Sequence, residues 1–125
     1  MNVVVDTTVL IDCLRGHEGA LELLSRRRSA GVLHASEVTR LEVLVGVRPP
    51  EEVATRALLT SLRWHPIDAA VAELAGELGR RWLPSHRAID TADLAIAATA
   101  IRLGAELLTR NVRHFPMFAD LRTPY

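Results

Sequence analysis

The strongest constraint on this chain is an alternation. Short apolar runs, each too brief for a helix, are followed by longer stretches with helical periodicity. Val3-Val4-Val5 is the first such run, and β-branched residues in an unbroken apolar stretch read as a buried strand. A helix is expected from there to about Arg15, capped by Thr7 or Thr8 and stopped by Gly16. Residues 18–30 carry Leu21, Leu23 and Leu24 at helical spacing, and Gly31 ends them. Residues 32–35 (Val-Leu-His-Ala) read as a second strand. Ser36 then caps a helix over 37–47, with Val38, Leu41 and Val45, flanked by Leu44, on its apolar side.

The second half repeats the pattern. Pro49-Pro50-Glu51-Glu52 breaks the chain and starts a helix reaching about Leu62, with prolines near its first position and acids in its first turn. Residues 64–67 are strand-like. Asp68 opens a helix to about Leu83, broken by Pro84-Ser85-His86. Residues 90–103, rich in Ala and Ile, form the clearest helix, terminated by Gly104. Residues 106–109 are a further strand, and residues 118–125 are expected to add an edge strand. Strands alternating with helices imply a parallel sheet covered on both faces. The 125 residues contain no repeat, low-complexity segment or dividing linker, so residues 1–125 are expected to form a single domain.

Composition excludes several classes. A hydrophobic fraction of 49% argues against disorder. No apolar run approaches the ~20 residues of a membrane span. The opening Met1-Asn2-Val3 has neither the basic stretch nor the cleavage site of a signal peptide, so a cytoplasmic protein is expected. The single cysteine, Cys13, can form neither an internal disulfide nor a thiolate-rich zinc site, and its apolar setting reads as burial. Basic and acidic residues number 15 each, and every basic residue is Arg. A balanced charge weakens the case for tight, sequence-independent binding to nucleic acid, so any such site must be local.

The chemistry-bearing residues are carboxylates. Asp6 ends the first strand, and ligands of open α/β sheets bind at the carboxyl ends of strands. Asp12 lies further on in the first helix. Glu42 sits among Leu41 and Val43-Leu44-Val45, where it either faces solvent or carries chemistry. Asp90 and Asp93 share a helix face at spacing i, i+3 and match a capping box; capping explains one of them better than both. Asn111 follows the last strand, as a turn residue or a neutral oxygen ligand. Converging carboxylates stay ionised together only around a cation. Oxygen donors without thiolates suit Mg²⁺ or Mn²⁺ rather than Zn²⁺, and such an ion suits phosphodiester hydrolysis.

Four segments carry a resemblance. They are residues 3–12 (Val-Val-Val-Asp-Thr-Thr-Val-Leu-Ile-Asp), residues 40–46 around Glu42, residues 93–100 from Asp93, and residues 108–115 (Leu-Thr-Arg-Asn-Val-Arg-His-Phe). In this order the chain resembles the PIN-domain ribonucleases and, among them, the VapC-like toxins of bacterial toxin–antitoxin pairs. The resemblance implies a three-layer α/β/α sandwich around a parallel sheet. It implies endonucleolytic cleavage of RNA with Mg²⁺ or Mn²⁺, inhibition by a cognate antitoxin, and assembly as a homodimer and a toxin–antitoxin hetero-oligomer. By position, Asp6, Glu42 and Asp93 are the metal-binding, catalytic acids. Thr7, Asp90 and Asn111 are candidate supports. Many relatives carry Asp where this chain has Asn111, and some carry an acid where it has His114.

Arg87, Arg110 and Arg113 flank the acidic motifs and are the candidates for RNA phosphate. Arg26-Arg27-Arg28 spreads over a helix surface and reads as a solvated face. Trp82 and His86 are candidates for stacking on a base, with core packing the competing reading of Trp82. Two other functions remain open here. One is a catalytically weak binding module whose acids cap helices. The other is a receiver-like signalling domain with Asp6 at a phosphoacceptor site, which the lack of any Lys opposes.

Overall fold

The computed structural model describes residues 2–125. Four short strands, β1 (Val3–Val5), β2 (Leu33–Ser36), β3 (Arg63–His65) and β4 (Glu106–Leu108), form one sheet in the order β3-β2-β1-β4. All three pairings are parallel, with Val3 opposite Leu33 and Glu106, and Ala35 opposite Trp64. Helices make the crossovers: α1 (Thr7–Leu14) and α2 (Glu18–Ala30) lead to β2, and α3 (Glu37–Val45) and α4 (Glu52–Thr60) lead to β3. Then α5 (Ala69–Trp82) and α6 (Thr91–Leu103) carry the chain across to β4 at the opposite edge. The direction of strand progression therefore reverses between β1 and β4, and the crevice beyond their carboxyl ends is where such sheets bind ligands.

Strand alternation sorts the core into two layers. Val3, Val5, Leu33, Ala35 and Leu108 face Val9 and Leu10 of α1, Leu23 and Leu24 of α2, Val43 of α3 and Leu59 of α4. Val4 and Leu107 face the other way, against Ile96, Ala97 and Ala100 of α6 and the fully buried Phe115. The small alanines of α6 let it lie close on the sheet, and α5 packs outside it with Leu78 reaching the same layer. This is the three-layer α/β/α sandwich with a central parallel sheet that the alternation and the resemblance imply. Gly104 ends α6 at φ 58°, a left-handed C-cap that L side chains rarely adopt.

Four local expectations need correction. Residues 118–125 form no strand. Phe118 and Leu121 pack on the Phe115 side and Tyr125 on the α1–α2 side, so the tail wraps past the β4 edge instead of pairing with it. In α3 the residues that bury are Thr39 and Val43, while Leu41 and Val45 are 62% and 79% exposed. Of the expected stripe, Leu41 and Val45 thus turn away from the core, while Val38 is half-buried against the α6 layer. The α1 N-cap is Asp6, whose side chain makes no cap bond because it is engaged elsewhere. Finally, α3 stops at Val45, two residues short of the expected end.

Phe115 closes the layer beneath the short helical turn Val112–His114. Replacing it with Ala leaves a large cavity and is expected to cost about 3–5 kcal/mol. Urea denaturation checks this: the midpoint falls with an unchanged m-value.

Candidate active site

Asp6, the residue after β1, sits at the reversal point and is 3% exposed. Its backbone N–H extends the ladder to Leu108 O at 2.9 Å. Its carboxylate is fixed by two threonines: Thr8 Oγ1 and Thr109 Oγ1 donate to Oδ2 at 2.9 and 2.7 Å. Thr109 also accepts the Asn111 N–H at 2.9 Å, and Thr8 accepts the Arg110 N–H at 3.2 Å. The segment after β4 is thereby stapled to the segment after β1. The sequence reading passed over Thr109. Its place depends on the Val5–Leu108 register, which sets Thr109 beside Asp6 and is not visible in the sequence.

Glu42 reaches the same end from α3. Thr7 Oγ1, next along the chain from Asp6, donates to Glu42 Oε1 at 2.6 Å, and the Thr7 and Thr39 hydroxyls pair at 3.1 Å. Ser36 caps α3 through the Val38 N–H, which orients the helix with its N-terminus at the strand ends. Thr7 thus lies in hydrogen-bond contact with Glu42.

Asp93 comes from the first turn of α6. With Asp90 it forms a reciprocal capping box: Asp90 N donates to Asp93 Oδ2 at 3.1 Å, and Asp93 N to Asp90 Oδ1 at 2.8 Å. Asp90 itself is exposed and serves as the helix cap. His114 Nδ1 lies 2.8 Å from Asp93 Oδ2 and 3.3 Å from Asn111 Nδ2. To donate to an ionised Asp93, Nδ1 must carry the proton, and it then receives none from the amide. Burial pushes the Asp93 carboxyl up to about 6, reinforced by the Asp90 charge and opposed by the Asp90 N–H and by His114.

A common pattern joins the three acids. Each has one oxygen held by protein donors: Asp6 Oδ2, Glu42 Oε1 and Asp93 Oδ2. The other oxygen of each makes no hydrogen bond among the described residues. Contacts run continuously from Asp6 through Thr109, Asn111 and His114 to Asp93. As the side chains stand, no group of three His, Cys, Asp or Glu among the described residues is gathered closely enough to hold a metal ion. The donor chemistry does fit a hard cation. It consists of braced carboxylates with open oxygens, one of them raised toward neutrality by burial, and no thiolate.

The other candidates separate. Arg110 is fixed by Asp12 at 2.9 Å, whereas Arg87 and Arg113 are exposed and make no ion pair among the described residues. Arg27 pairs with Glu106 at 2.7 Å on the surface. Trp82 and His86 meet edge to face at 5.6 Å, and Trp82 is half-buried. Cys13 is also half-buried, and burial raises its thiol.

A parallel α/β sheet with a buried, braced acid at its reversal point, linked by side-chain contacts to acids on two neighbouring helices, defines a class of acidic-site α/β domains. Within it the chain belongs to the PIN domain family, whose profile matches residues 3–121. It is 47% identical over 122 residues to Ribonuclease VapC19 of Mycobacterium tuberculosis, covering 97% of this chain and 98% of that one. Ribonuclease VapC10 of the same organism is 40% identical over 123 residues, covering 98% and 92%. Among solved structures, a toxin–antitoxin complex from Klebsiella pneumoniae matches with a TM-score of 0.81 and 29% identity over 98% of each chain. VapBC2 from Rickettsia felis, bound to a DNA fragment from its promoter, shares the fold at a TM-score of 0.80 and 21% identity, over 98% and 97%. The receiver-like reading is thereby overturned.

The Asp93 shift has a consequence for stability. Unfolded, this carboxyl titrates near its usual 3.8; folded and free of cations, near 6. Between those values the native state holds the extra proton, so Asp93 costs stability as pH rises through that window. Asp93→Asn keeps an acceptor for the capping box and removes the charge. In EDTA its Tm is expected to gain on the parent from about pH 4 to pH 7; a variant that loses ground over that range would show the acid to be purely a cap.

Proposed function

We propose that this chain is a metal-dependent endoribonuclease acting as the toxin of a toxin–antitoxin pair, with residues 1–125 as a single catalytic domain in the cytoplasm. The observation that carries the reading is the pattern of Asp6, Glu42 and Asp93, each braced by protein donors and each keeping an open oxygen at the sheet's reversal point. The ribonuclease names of the two Mycobacterium relatives support the reaction class. The toxin–antitoxin titles of the structural neighbours support the assignment of an antitoxin partner.

In this reading Asp6, Glu42 and Asp93 hold Mg²⁺ or Mn²⁺. When bound, such an ion supplies the Lewis acidity that makes water a nucleophile near neutral pH and offsets charge building on the phosphoryl group. Thr8 and Thr109 keep the Asp6 carboxylate aimed, and Thr7 does the same for Glu42. Asn111 ties the loop after β4 to Thr109 and offers a neutral amide at the edge of the site. Arg110, Arg87 and Arg113 present guanidinium groups to the RNA backbone. The N-termini of α1, α3 and α6 follow or lie at the strand ends, where their positive dipole ends favour a phosphate.

Purified protein is expected to cleave single-stranded RNA with Mg²⁺ or Mn²⁺ and to stop in EDTA. Asp6→Ala is expected to lower the rate by about a hundredfold or more, since the Lewis-acid contribution is worth several kcal/mol. Cleavage that persists in Asp6→Ala would point to a contaminating nuclease. RNA binding without cleavage by the parent would favour the binding-module reading.

The homodimer in this reading would form through α3. Leu41 and Val45 project from α3 into solvent, where isolated helix stability offers no reason for an apolar stripe. Leu41→Glu is expected to leave the fold intact and convert dimer to monomer in light scattering; an unchanged mass would move the interface elsewhere.

A further inference from the structure

One polar cluster takes no part in bracing the three acids. Tyr125 Oη donates to Asp12 Oδ2 at 2.6 Å, and Arg110 Nη1 donates to the same oxygen at 2.9 Å. The Arg110 guanidinium carbon lies 4.9 Å from the centre of the Tyr125 ring. On its other contacts that ring meets His17 at 4.8 Å and packs on the core between α1 and α2. Gly19 makes room for it, since a Cβ there would stand 3.1 Å from Tyr125 Cβ. Burial and the bond to Asp12 push the Tyr125 phenol above its ordinary range, so the hydroxyl stays a donor.

Arg110 joins this cluster to the acid site. Its backbone N–H donates to Thr8, and Thr8 donates to Asp6. Thr8 and Asp12 are four residues apart on α1 and so share one face, with Cβ atoms about 5–6 Å apart. The Arg110 side chain therefore runs one helical turn from the residue that braces Asp6 and is held there at two points. A guanidinium has five N–H donors in a planar fork. Asp12 takes one and Tyr125 Oη stands beside the fork, which leaves most of its N–H groups for a ligand. An exposed arginine normally loses rotamer freedom when it grips a phosphate; one already fixed has less to lose.

We propose that Tyr125 and Asp12 are positioning residues for Arg110, holding its guanidinium at the rim of the acid site so that its remaining N–H groups take a backbone phosphate of single-stranded RNA. The substrate class rests on the ribonuclease reading; the latch itself rests on the contacts of Tyr125, Asp12 and Arg110. Tyr125→Phe keeps the ring, its contact with His17 and its packing, and deletes only the hydroxyl.

The test measures binding of a fluorescent single-stranded RNA oligonucleotide to the full chain by anisotropy in EDTA, and kcat and KM with Mg²⁺. Tyr125→Phe is expected to weaken binding by about three- to tenfold, the range for losing one side-chain hydrogen bond, and to raise KM by the same factor with kcat unchanged. Asp12→Asn, the second variant, is expected to do likewise. In an Arg110→Ala background neither change adds further loss, because the group they position is gone. Parent-like RNA affinity in Tyr125→Phe, or full additivity with Arg110→Ala, would overturn the proposal. A parent that binds RNA but does not cut it ends the ribonuclease reading and leaves the latch to be judged on affinity alone; a parent that does not bind ends both.

Discussion

The structure turns on one buried carboxylate. Asp6 lies where β1 and β4 end side by side, 3% exposed, with Thr8 and Thr109 donating to a single oxygen. Those two hydroxyls come from segments about a hundred residues apart, Thr109 lying 103 positions beyond Asp6. The loops after both strands are thus shaped by the need to satisfy one acid. A buried charge is expensive unless it is paired or hydrogen-bonded. Here one oxygen of the carboxylate is satisfied by protein donors, and the other makes no hydrogen bond among the described residues.

The other acids follow the same economy of support. Glu42 is reached by the Thr7 hydroxyl, so adjacent residues at the start of α1 serve two carboxylates. Asp93 doubles as a helix-capping residue, and burial still outweighs its backbone hydrogen bond in setting where it titrates. Capping therefore does not exclude a ligand role for Asp93. The capping box fixes the rotamer, and the fixed rotamer leaves the second oxygen open. Around the three acids, helices begin and strands end, so backbone dipoles favour an anion in the same crevice where the carboxylates favour a cation. A metal-bridged phosphate would satisfy both.

Much of this was legible beforehand, and the reasons are local. Val3-Val4-Val5 and residues 106–109 declare strands by composition and length, and the Ala-rich run after Asp93 declares the helix that lies on the sheet. Asp6, Glu42 and Asp93 stand out as acids in apolar settings. What escaped the reading depends on contacts distant in sequence. Thr109 bonds to Asp6 through strand register, which a single sequence does not display. Periodicity reports a face of α3, not what covers it: Leu41 and Val45 point to solvent, and Thr39 and Val43 bury, Thr39 with the Thr7 hydroxyl as its partner. Residues 118–125 look like a strand by residue type, yet their aromatic ends are drawn to opposite core layers, and Tyr125 finds Asp12 there. A tail that crosses from one layer to the other cannot also pair along β4.

The central claim is that Asp6, Glu42 and Asp93 share one cation. Titration of Mn²⁺ followed by electron paramagnetic resonance tests it without reference to RNA or activity. Saturable binding by the parent, abolished or strongly weakened in Asp6→Asn, Glu42→Gln and Asp93→Asn taken singly, is the predicted result. Parent-like Mn²⁺ affinity in any one of the three variants would remove that residue from the site, and in all three would contradict the account.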